Sequence, residues 1–194
     1  ISNAAELAAF AKTVNNGTSN FAGETVKLTA DVDLQNIEWI PIGQTNGYSV
    51  SGQFRGTFDG DNHSITNLYI SKPEMGNDNG ANYTSGFFGF IDINGATIQN
   101  LTIDQAYVFG HHWVGTIVGY LTGEITNCSV KNATVINTHI NGDACGDKAG
   151  AVVGIVNGDK GKITNCHAID CTVTAGRDAG QIVGFSNSSN VSGC

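Results

Sequence analysis

The stretch GTIVGY at 115–120, with LTGE at 121–124 and ITNCSV at 125–130, decides the fold because its pattern recurs along the chain. Related stretches are SGFFGFI at 85–91 with TIQNLTI at 97–103, GAVVGIV at 150–156 with ITNCHA at 163–168, GQIVGF at 180–185 with VSGC at 191–194, and SITNLYI at 64–70. Self-similarity with a period of about thirty residues is typical of a stacked array in which each repeat is one supersecondary unit.

An asparagine marks a bend in most of these repeats. The apolar residues Ile125 and Cys128 are three positions apart, so the chain must bend between them if both face the core. Asn and Gly best tolerate the left-handed backbone that such a corner needs. The sequence therefore predicts a ladder of corner residues at Asn67, Asn100, Asn127, Asn165 and Gly193.

Apolar residues alternate after each predicted corner, as in Leu101, Ile103, Ala106 and Val108, which indicates short strands with one buried face. With no helical pattern inside the repeat, we predict an all-β fold, a right-handed parallel β-helix with three strands per coil. A β-sandwich is the alternative, but it gives no reason for the same tetrads to recur in register.

Residues 3–16 are predicted to form a helix that caps the first coil. Asn3 and Glu6 have capping-box spacing, and Gly17 ends the pattern. The apolar face consists of Leu7, Phe10, Ala11 and Val14. We expect a single β-helix domain over 1–194, with the capping helix and irregular leading coils in 1–49 and the regular coils in 50–194, and we expect it to be part of a longer chain.

The G-x-φ-φ-G strand and the I-T-N-C tetrad, together with FRGTFDGDNHSITNLYI at 54–70, resemble the GLUG-motif repeats of bacterial secreted and cell-surface proteins. The resemblance covers roughly residues 50–194. It implies a scaffold of the kind found in adhesin-like proteins and beside some surface peptidases, and hence an extracellular or cell-surface location. Because a shared fold does not establish an activity, the resemblance leaves the function open.

Composition excludes some classes of partner. A net charge of −8 and a pI near 4.8 argue against nucleic acid and anionic membrane surfaces, which require clustered Lys and Arg. No run approaches the roughly eighteen apolar residues of a membrane span, so we predict no membrane insertion of this segment.

Four of the five cysteines resemble small core residues more than metal ligands. Cys128, Cys166 and Cys194 fall in the inward slot that Leu101 and Leu68 fill in earlier repeats, and Cys171 falls where Ala133 and Ala106 fall. Their spacing matches no zinc pattern, so no metal or other cofactor is predicted. We expect mostly free thiols, with Cys145 in a loop.

Extra length is concentrated at one corner of the coil, in the loops 71–84, 109–114, 136–149 and 174–179. Loops that stack on one side of a solenoid commonly build its binding face. We call these four loops the loop ridge. Its distinctive side chains, the candidate ligand-binding residues, are Tyr83, His111, His112, Trp113, His139, Asp143, Asp147, Arg177 and Asp178.

Aromatic rings beside carboxylates and amides suit carbohydrate, so the predicted partner of the loop ridge is a glycan or a host surface protein. The alternative for Trp113 is packing beneath a loop, and the alternative for the histidines is that they are solvated turn residues. The group Asp59, Asp61 and His63 could be a metal loop, but turn preferences explain it adequately.

We predict a non-catalytic adhesin-like module. The first alternative is a polysaccharide lyase or glycoside hydrolase that uses Asp143, Asp147, Arg177 and Asp178, although the predicted strands carry no ladder of acids. The second alternative is a passive structural stalk. The sequence contains no H-E-x-x-H, phosphate-binding loop or G-x-S-x-G motif.

Overall fold

The computed structural model describes residues 1–43, 52–71, 84–91, 95–138, 148–157, 161–187 and 190–194. Within these residues the chain forms an α-helix followed by short strands, and the strands form five sheets in which every strand pairs in parallel with its equivalents in neighbouring coils. The chain enters each sheet once per coil before it begins the next coil. This arrangement is a parallel β-helix, so the predicted fold class is confirmed.

The helix α1 spans Ala4–Asn15. Sheets are numbered in the order in which the chain visits them within a coil. Sheet 1 contains Thr25–Lys27, Thr57–Asp59, Thr97–Gln99, Glu124–Thr126, Lys162–Thr164 and Val191–Ser192. Sheet 2 contains Val32–Asp33, Ser64–Thr66, Thr102–Asp104, Ser129–Lys131 and His167–Ile169. Sheet 3 contains Tyr69–Ser71, Tyr107–Gly110, Thr134–Asn137 and Thr172–Thr174. Sheet 4 contains Thr84–Ser85, Trp113–Gly115, Lys148–Gly150 and Asp178–Gly180. Sheet 5 contains Phe88–Ile91, Val118–Leu121, Val153–Val156 and Val183–Ser186.

The predicted count of three strands per coil is too low, because the chain bends more often than the apolar pattern indicates. The stretch 115–120, predicted to be part of one Gly-bounded strand, is divided between two strands. The strand in sheet 4 ends at Gly115, and the strand in sheet 5 begins at Val118. Glycine permits the close backbone approach at this bend. A Cβ atom added to Gly154 would lie 2.6 Å from the Gly119 carbonyl oxygen and 2.6 Å from the Val114 backbone nitrogen.

The corner between sheets 1 and 2 contains the predicted ladder. Asn100, Asn127 and Asn165 have φ values of 53°, 52° and 51°, in the left-handed region, and Gly193 has φ of 67°. Asn165 Nδ2 donates to Asn127 Oδ1 at 3.3 Å, and Asn127 Nδ2 donates to Asn100 Oδ1 at 3.4 Å. These side chains therefore link successive coils, and the ladder is confirmed at these four positions.

Asn67 was assigned to the wrong corner. Its strand Ser64–Thr66 pairs with Thr102–Asp104 in sheet 2, so Asn67 occupies the corner between sheets 2 and 3. Residues of three other coils with positive φ share this second corner: Gln105, Asn132 and Asp170. Leu68 accordingly belongs with Ala106, Ala133 and Cys171. The error arises because both corners follow a three-residue strand and precede an inward apolar residue.

The described cysteines occupy the predicted inward slots. Only the grouping of Leu68 with Cys128, Cys166 and Cys194 is wrong, because Leu68 follows the second corner and not the first. Cys128 and Cys166 are fully buried, Cys194 is exposed, and all three follow the first corner. The Cys166 backbone N–H donates to Cys194 Sγ at 3.4 Å, which places these two side chains in adjacent coils. The four described cysteines are free, as expected, and Cys145 lies outside the described residues.

The N-terminal helix α1 covers the first coils as predicted. Asn3 caps it, and Asn3 Oδ1 accepts a hydrogen bond from the Glu6 backbone N–H at 3.0 Å. The Glu6 carboxylate accepts from the Ser2 backbone N–H at 2.7 Å, one residue earlier than in a capping box. The buried residues of α1 are Leu7, Phe10, Ala11 and Val14, as predicted. Phe10 packs on Phe54, and their ring centroids are 5.5 Å apart.

Candidate functional site

Along the chain, each of the four loops of the loop ridge leaves a strand of sheet 3 and ends at a strand of sheet 4. Within sheet 4, Trp113 is in register with Lys148, and Lys148 is in register with Asp178. Adjacent parallel strands lie roughly 4.8 Å apart, so Trp113 and Asp178 begin strands that are roughly 10 Å apart. The stacking of coils therefore brings residues distant in sequence to one side of the molecule.

Five of the nine candidate residues are described, and Tyr83, His139, Asp143 and Asp147 lie outside the described residues. The rings of His111 and His112 are 4.8 Å apart and perpendicular. His112 is only 7% exposed, which leaves it little surface for a ligand. Trp113 and Asp178 are half-buried, and Arg177 is exposed. His111, Trp113, Arg177 and Asp178 therefore keep some surface accessible to solvent.

Asn137, which is not among the predicted candidate residues, links two neighbouring coils at the start of the loop 136–149. This buried side chain donates from Nδ2 to the His112 carbonyl oxygen and to the Lys148 carbonyl oxygen, the latter at 3.1 Å. The Lys148 backbone N–H also donates to the His112 carbonyl at 3.1 Å. Asn137 therefore fixes the backbone on which Trp113 is carried. The sequence does indicate such a role, because the alternation of inward and outward residues after Val135 predicts that Asn137, a polar residue, faces the core.

The bend between sheets 4 and 5 brings their outer faces close together. As a result, the rings of Trp113 in sheet 4 and Tyr120 in sheet 5 have centroids 4.9 Å apart, with planes inclined by 54°. Tyr120 also stacks on Phe90 of the preceding coil, with centroids 4.9 Å apart and planes inclined by 17°. All three rings are half-buried, so each keeps some surface accessible to solvent.

Tyr120 and Phe90 belong to a column of residues in sheet 5, one of which, Ile155, is only 7% exposed. Pairing puts Phe90, Tyr120, Ile155 and Phe185 in register. Phe185 is 39% exposed, and the Lys148 ammonium lies 5.1 Å from the centroid of its ring. We call Phe90, Trp113, Tyr120 and Phe185 the aromatic strip. The sequence contains a signal for this column, since Tyr120, Ile155 and Phe185 each follow the second glycine of G-x-φ-φ-G, and Phe90 follows the shorter GFFG at 86–89.

Amide side chains border the aromatic strip. Asn157 Nδ2 donates to the Tyr120 hydroxyl oxygen. Asn187, one coil further on, donates from Nδ2 to Asn157 Oδ1 at 2.9 Å. Rings flanked by amide donors and acceptors form a surface that can stack on the apolar face of a sugar and bond to its hydroxyl groups.

The described residues give little support to metal binding, to thiol chemistry or to a membrane-spanning helix. Among them, no group of three or more His, Cys, Asp or Glu residues is placed to hold a metal ion. Burial raises the pKa of the Cys128 thiol well above its ordinary value, which keeps that thiol protonated and unreactive. The only helix among the described residues is too short to cross a membrane.

Fold and surface together define a β-solenoid repeat module with an aromatic strip along one side. No family model matches the chain, so the resemblance to GLUG-motif repeats stays a prediction. Over 106 residues, or 55% of this chain, it is 40% identical to Halomucin of Haloquadratum walsbyi. That alignment spans only 1% of Halomucin.

A solved structure supports the fold. The crystal structure of a candidate immunoglobulin A1 protease from Bacteroides ovatus aligns with a TM-score of 0.55 and 22% sequence identity. The alignment covers 98% of this chain and 73% of that one. At this level of identity the likeness concerns the fold alone.

Proposed function

We propose that this chain is a non-catalytic, adhesin-like module of a secreted or cell-surface protein, and that it binds glycan through the aromatic strip and the neighbouring loop ridge. The observation that carries this proposal is the run of half-exposed rings from Phe90 through Tyr120 to Trp113. Large aromatic side chains with solvent-accessible faces beside amides are a common means of holding sugars. A protein ligand is the alternative occupant of the same surface.

The direction of the strip suggests the shape of the ligand. The column in sheet 5 advances by one residue per coil, at roughly 4.8 Å per step, parallel to the solenoid axis. Ligand contacts would therefore repeat along that axis. We expect a linear glycan lying along the strip, with the amides of Asn157 and Asn187 as polar contacts.

Similarity to Halomucin supports a role as one segment of a larger protein, because a region like this one makes up about 1% of that chain. Repetitive coils suit such a role, since each coil needs only its neighbours for stability. A secreted or surface location agrees with the predicted resemblance to GLUG-motif repeats.

A matched pair of tyrosines tests the proposal. Tyr120 and Tyr107 belong to the same coil, and both stack on an aromatic ring of the preceding coil; Tyr107 stacks on Tyr69, with centroids 5.6 Å apart. Tyr107 lies in sheet 3, away from the strip. On a glycan array followed by titration, Tyr120→Ala is expected to weaken binding about tenfold or more, and Tyr107→Ala to leave it unchanged.

Other outcomes separate the alternatives. If a pull-down recovers a protein and the array is blank, the glycan part of the proposal fails. Release of reducing ends or unsaturated sugars, abolished by Asp178→Asn, would establish the enzyme instead. Absence of binding and of catalysis, together with tolerance of exchanged loops, would leave the passive stalk.

A further inference from the structure

The described residues include several complete N-x-S/T triplets in which x is not proline. Such a triplet, called a sequon, is the acceptor for N-linked glycans in exported proteins. Sequons are frequent in a chain with this many asparagines, so the motif alone does not show which of them is an acceptor. Their asparagines are Asn16, Asn62, Asn100, Asn127, Asn132 and Asn190.

The sequons in the regular coils are built into the solenoid. Asn127 Nδ2 donates to Asn100 Oδ1 at 3.4 Å, and Asn100 Nδ2 donates to Asp59 Oδ1 at 3.0 Å. Asn132 Nδ2 donates to Asp104 Oδ1 at 2.8 Å. The Ser or Thr of each of these sequons is half-buried in a strand of sheet 2 or sheet 3. An enzyme that must grip both ends of the triplet would have to open the sheets first.

Two other sequons are each obstructed at one end. Asn190 is half-buried. Asn62 is exposed, but the hydroxyl residue of its sequon, Ser64, is half-buried and donates from Oγ to Asp31 Oδ1 at 3.0 Å. Neither triplet therefore presents both its amide and its hydroxyl group to solvent.

The sequon Asn16–Gly17–Thr18 differs from all of these. It directly follows α1, outside any strand, and all three of its residues are exposed. Among the described residues, neither the Asn16 amide nor the Thr18 hydroxyl has a hydrogen-bond partner. A Cβ atom added to Gly17 would meet no atom within 4 Å, so the space beside the backbone is open. Both recognition groups are thus available without any change in the fold.

We propose that Asn16 is an N-glycosylation site, modified by an oligosaccharyltransferase that uses a lipid-linked oligosaccharide as its donor. Asn16 Nδ2 forms a bond to the anomeric carbon of the first sugar, and the bond from that carbon to the phosphate oxygen of the lipid carrier breaks. The lipid phosphate leaves with the electron pair, and the amide gives up one proton to a base of the transferase. The step rests on the secreted or cell-surface location proposed above, but not on glycan binding by the aromatic strip.

The experiment incubates the purified, folded chain with a single-subunit oligosaccharyltransferase that accepts N-x-S/T and with a lipid-linked oligosaccharide. Mass spectrometry of intact glycopeptides follows the occupancy of each sequon. Asn132 is the matched comparison, because it too is exposed and is followed by a small residue and Thr. We expect Asn16 to be modified at least about tenfold faster, since the strand Thr134–Asn137 must open locally before Asn132 can react.

Synthetic peptides that carry the Asn16 and Asn132 sequons are the control. They should be modified at similar rates, because the fold no longer protects either one. In the folded chain, Thr18→Val should abolish modification of Asn16, whereas Thr18→Ser should retain it. Asn16→Gln should also stay unmodified at this position. These side chains are exposed, so we expect circular dichroism of the variants to match that of the parent chain.

Glycopeptide analysis of the protein exported by the cells that produce it is the second arm, and we expect glycan on Asn16. Equal rates at Asn16 and Asn132 in the folded chain would overturn the proposal. So would an unmodified Asn16 in the exported protein. Recovery of the protein only inside the cells would refute the location proposed above as well. Loss of glycan binding in Tyr120→Ala has no bearing on Asn16, so the two proposals can fail separately.

Discussion

The first and the last described coils carry similar residues in very different surroundings. At the N-terminal end, α1 covers the first coils, and Phe10, Phe54 and Phe58 form a buried aromatic cluster. In the last described coil, equivalent inward positions are only partly covered: Val135 is fully buried, whereas Val173, its register partner one coil later, is half-buried.

The difference shows that a coil obtains its burial from its neighbours. Val135 and Val173 are the same residue type at the same position of the repeat, and only the coil stacked beyond them differs. In a solenoid, stability is approximately the sum of the terms within each repeat and the interfaces between adjacent repeats. A coil whose inward residues are fully buried should therefore resist unfolding more than one whose inward residues are half-buried.

The largest expected effect comes from breaking the cap. Phe10→Ala removes a buried ring that packs on Phe54, Phe58 and Phe21, so we expect a loss of about 3–5 kcal/mol in the free energy of unfolding. Urea denaturation followed by circular dichroism measures it. Phe185→Ala, in the last coil and 39% exposed, is the control and should cost less than about 1 kcal/mol. Equal losses in the two variants would contradict a stabilising role for α1.

A smaller loss in the free energy of unfolding is expected when the two valines, Val135 and Val173, are each replaced by alanine. Val135→Ala should cost about 2 kcal/mol, because two methyl groups are removed from a fully buried position and leave a cavity. Val173→Ala should cost less than about 1 kcal/mol, since its side chain is already partly exposed. Urea titrations of both variants in parallel provide the measurement. A larger loss at Val173 would mean that stability does not follow the covering coil.

The smallest effect concerns two kinds of rung in the asparagine ladder. Asn100 Nδ2 donates to the Asp59 carboxylate at 3.0 Å. The rungs from Asn127 to Asn100 and from Asn165 to Asn127 instead join two uncharged amides. Burial raises the pKa of Asp59, but hydrogen bonds from the Asp61 N–H, Asn100 and Gln99 outweigh it, and the pKa lies below the ordinary 3.8.

Because the folded-state pKa is the lower one, Asp59 contributes stability above the unfolded-state pKa, and that contribution is lost as the pH falls through the folded-state value. Asp59→Asn should therefore cost about 1 kcal/mol at pH 6 and progressively less below about pH 4. Urea titrations at several pH values measure this difference. Asn165→Gly removes an uncharged rung, so its cost should not change over this range. A constant cost for Asp59→Asn would refute the ionic contribution.

Much of the fold could be predicted because it depends on short, repeated patterns. The apolar spacing of α1, the left-handed corners at Asn100, Asn127 and Asn165, and the inward slot of Cys128 and Cys166 each follow from a few neighbouring residues. The same locality explains the error at Asn67. Two corners of one coil have nearly the same local sequence, and only strand pairing distinguishes them.

The sequence alone determined that this chain stacks coils in register and inserts its extra length between equivalent strands, since backbone geometry and the burial of alternate side chains act over a few residues. Tertiary structure decided which side chains meet. Tyr120 contacts Trp113 only because the bend between sheets 4 and 5 folds two outer faces together, and Phe90 stacks on Tyr120 only because consecutive coils lie one strand spacing apart.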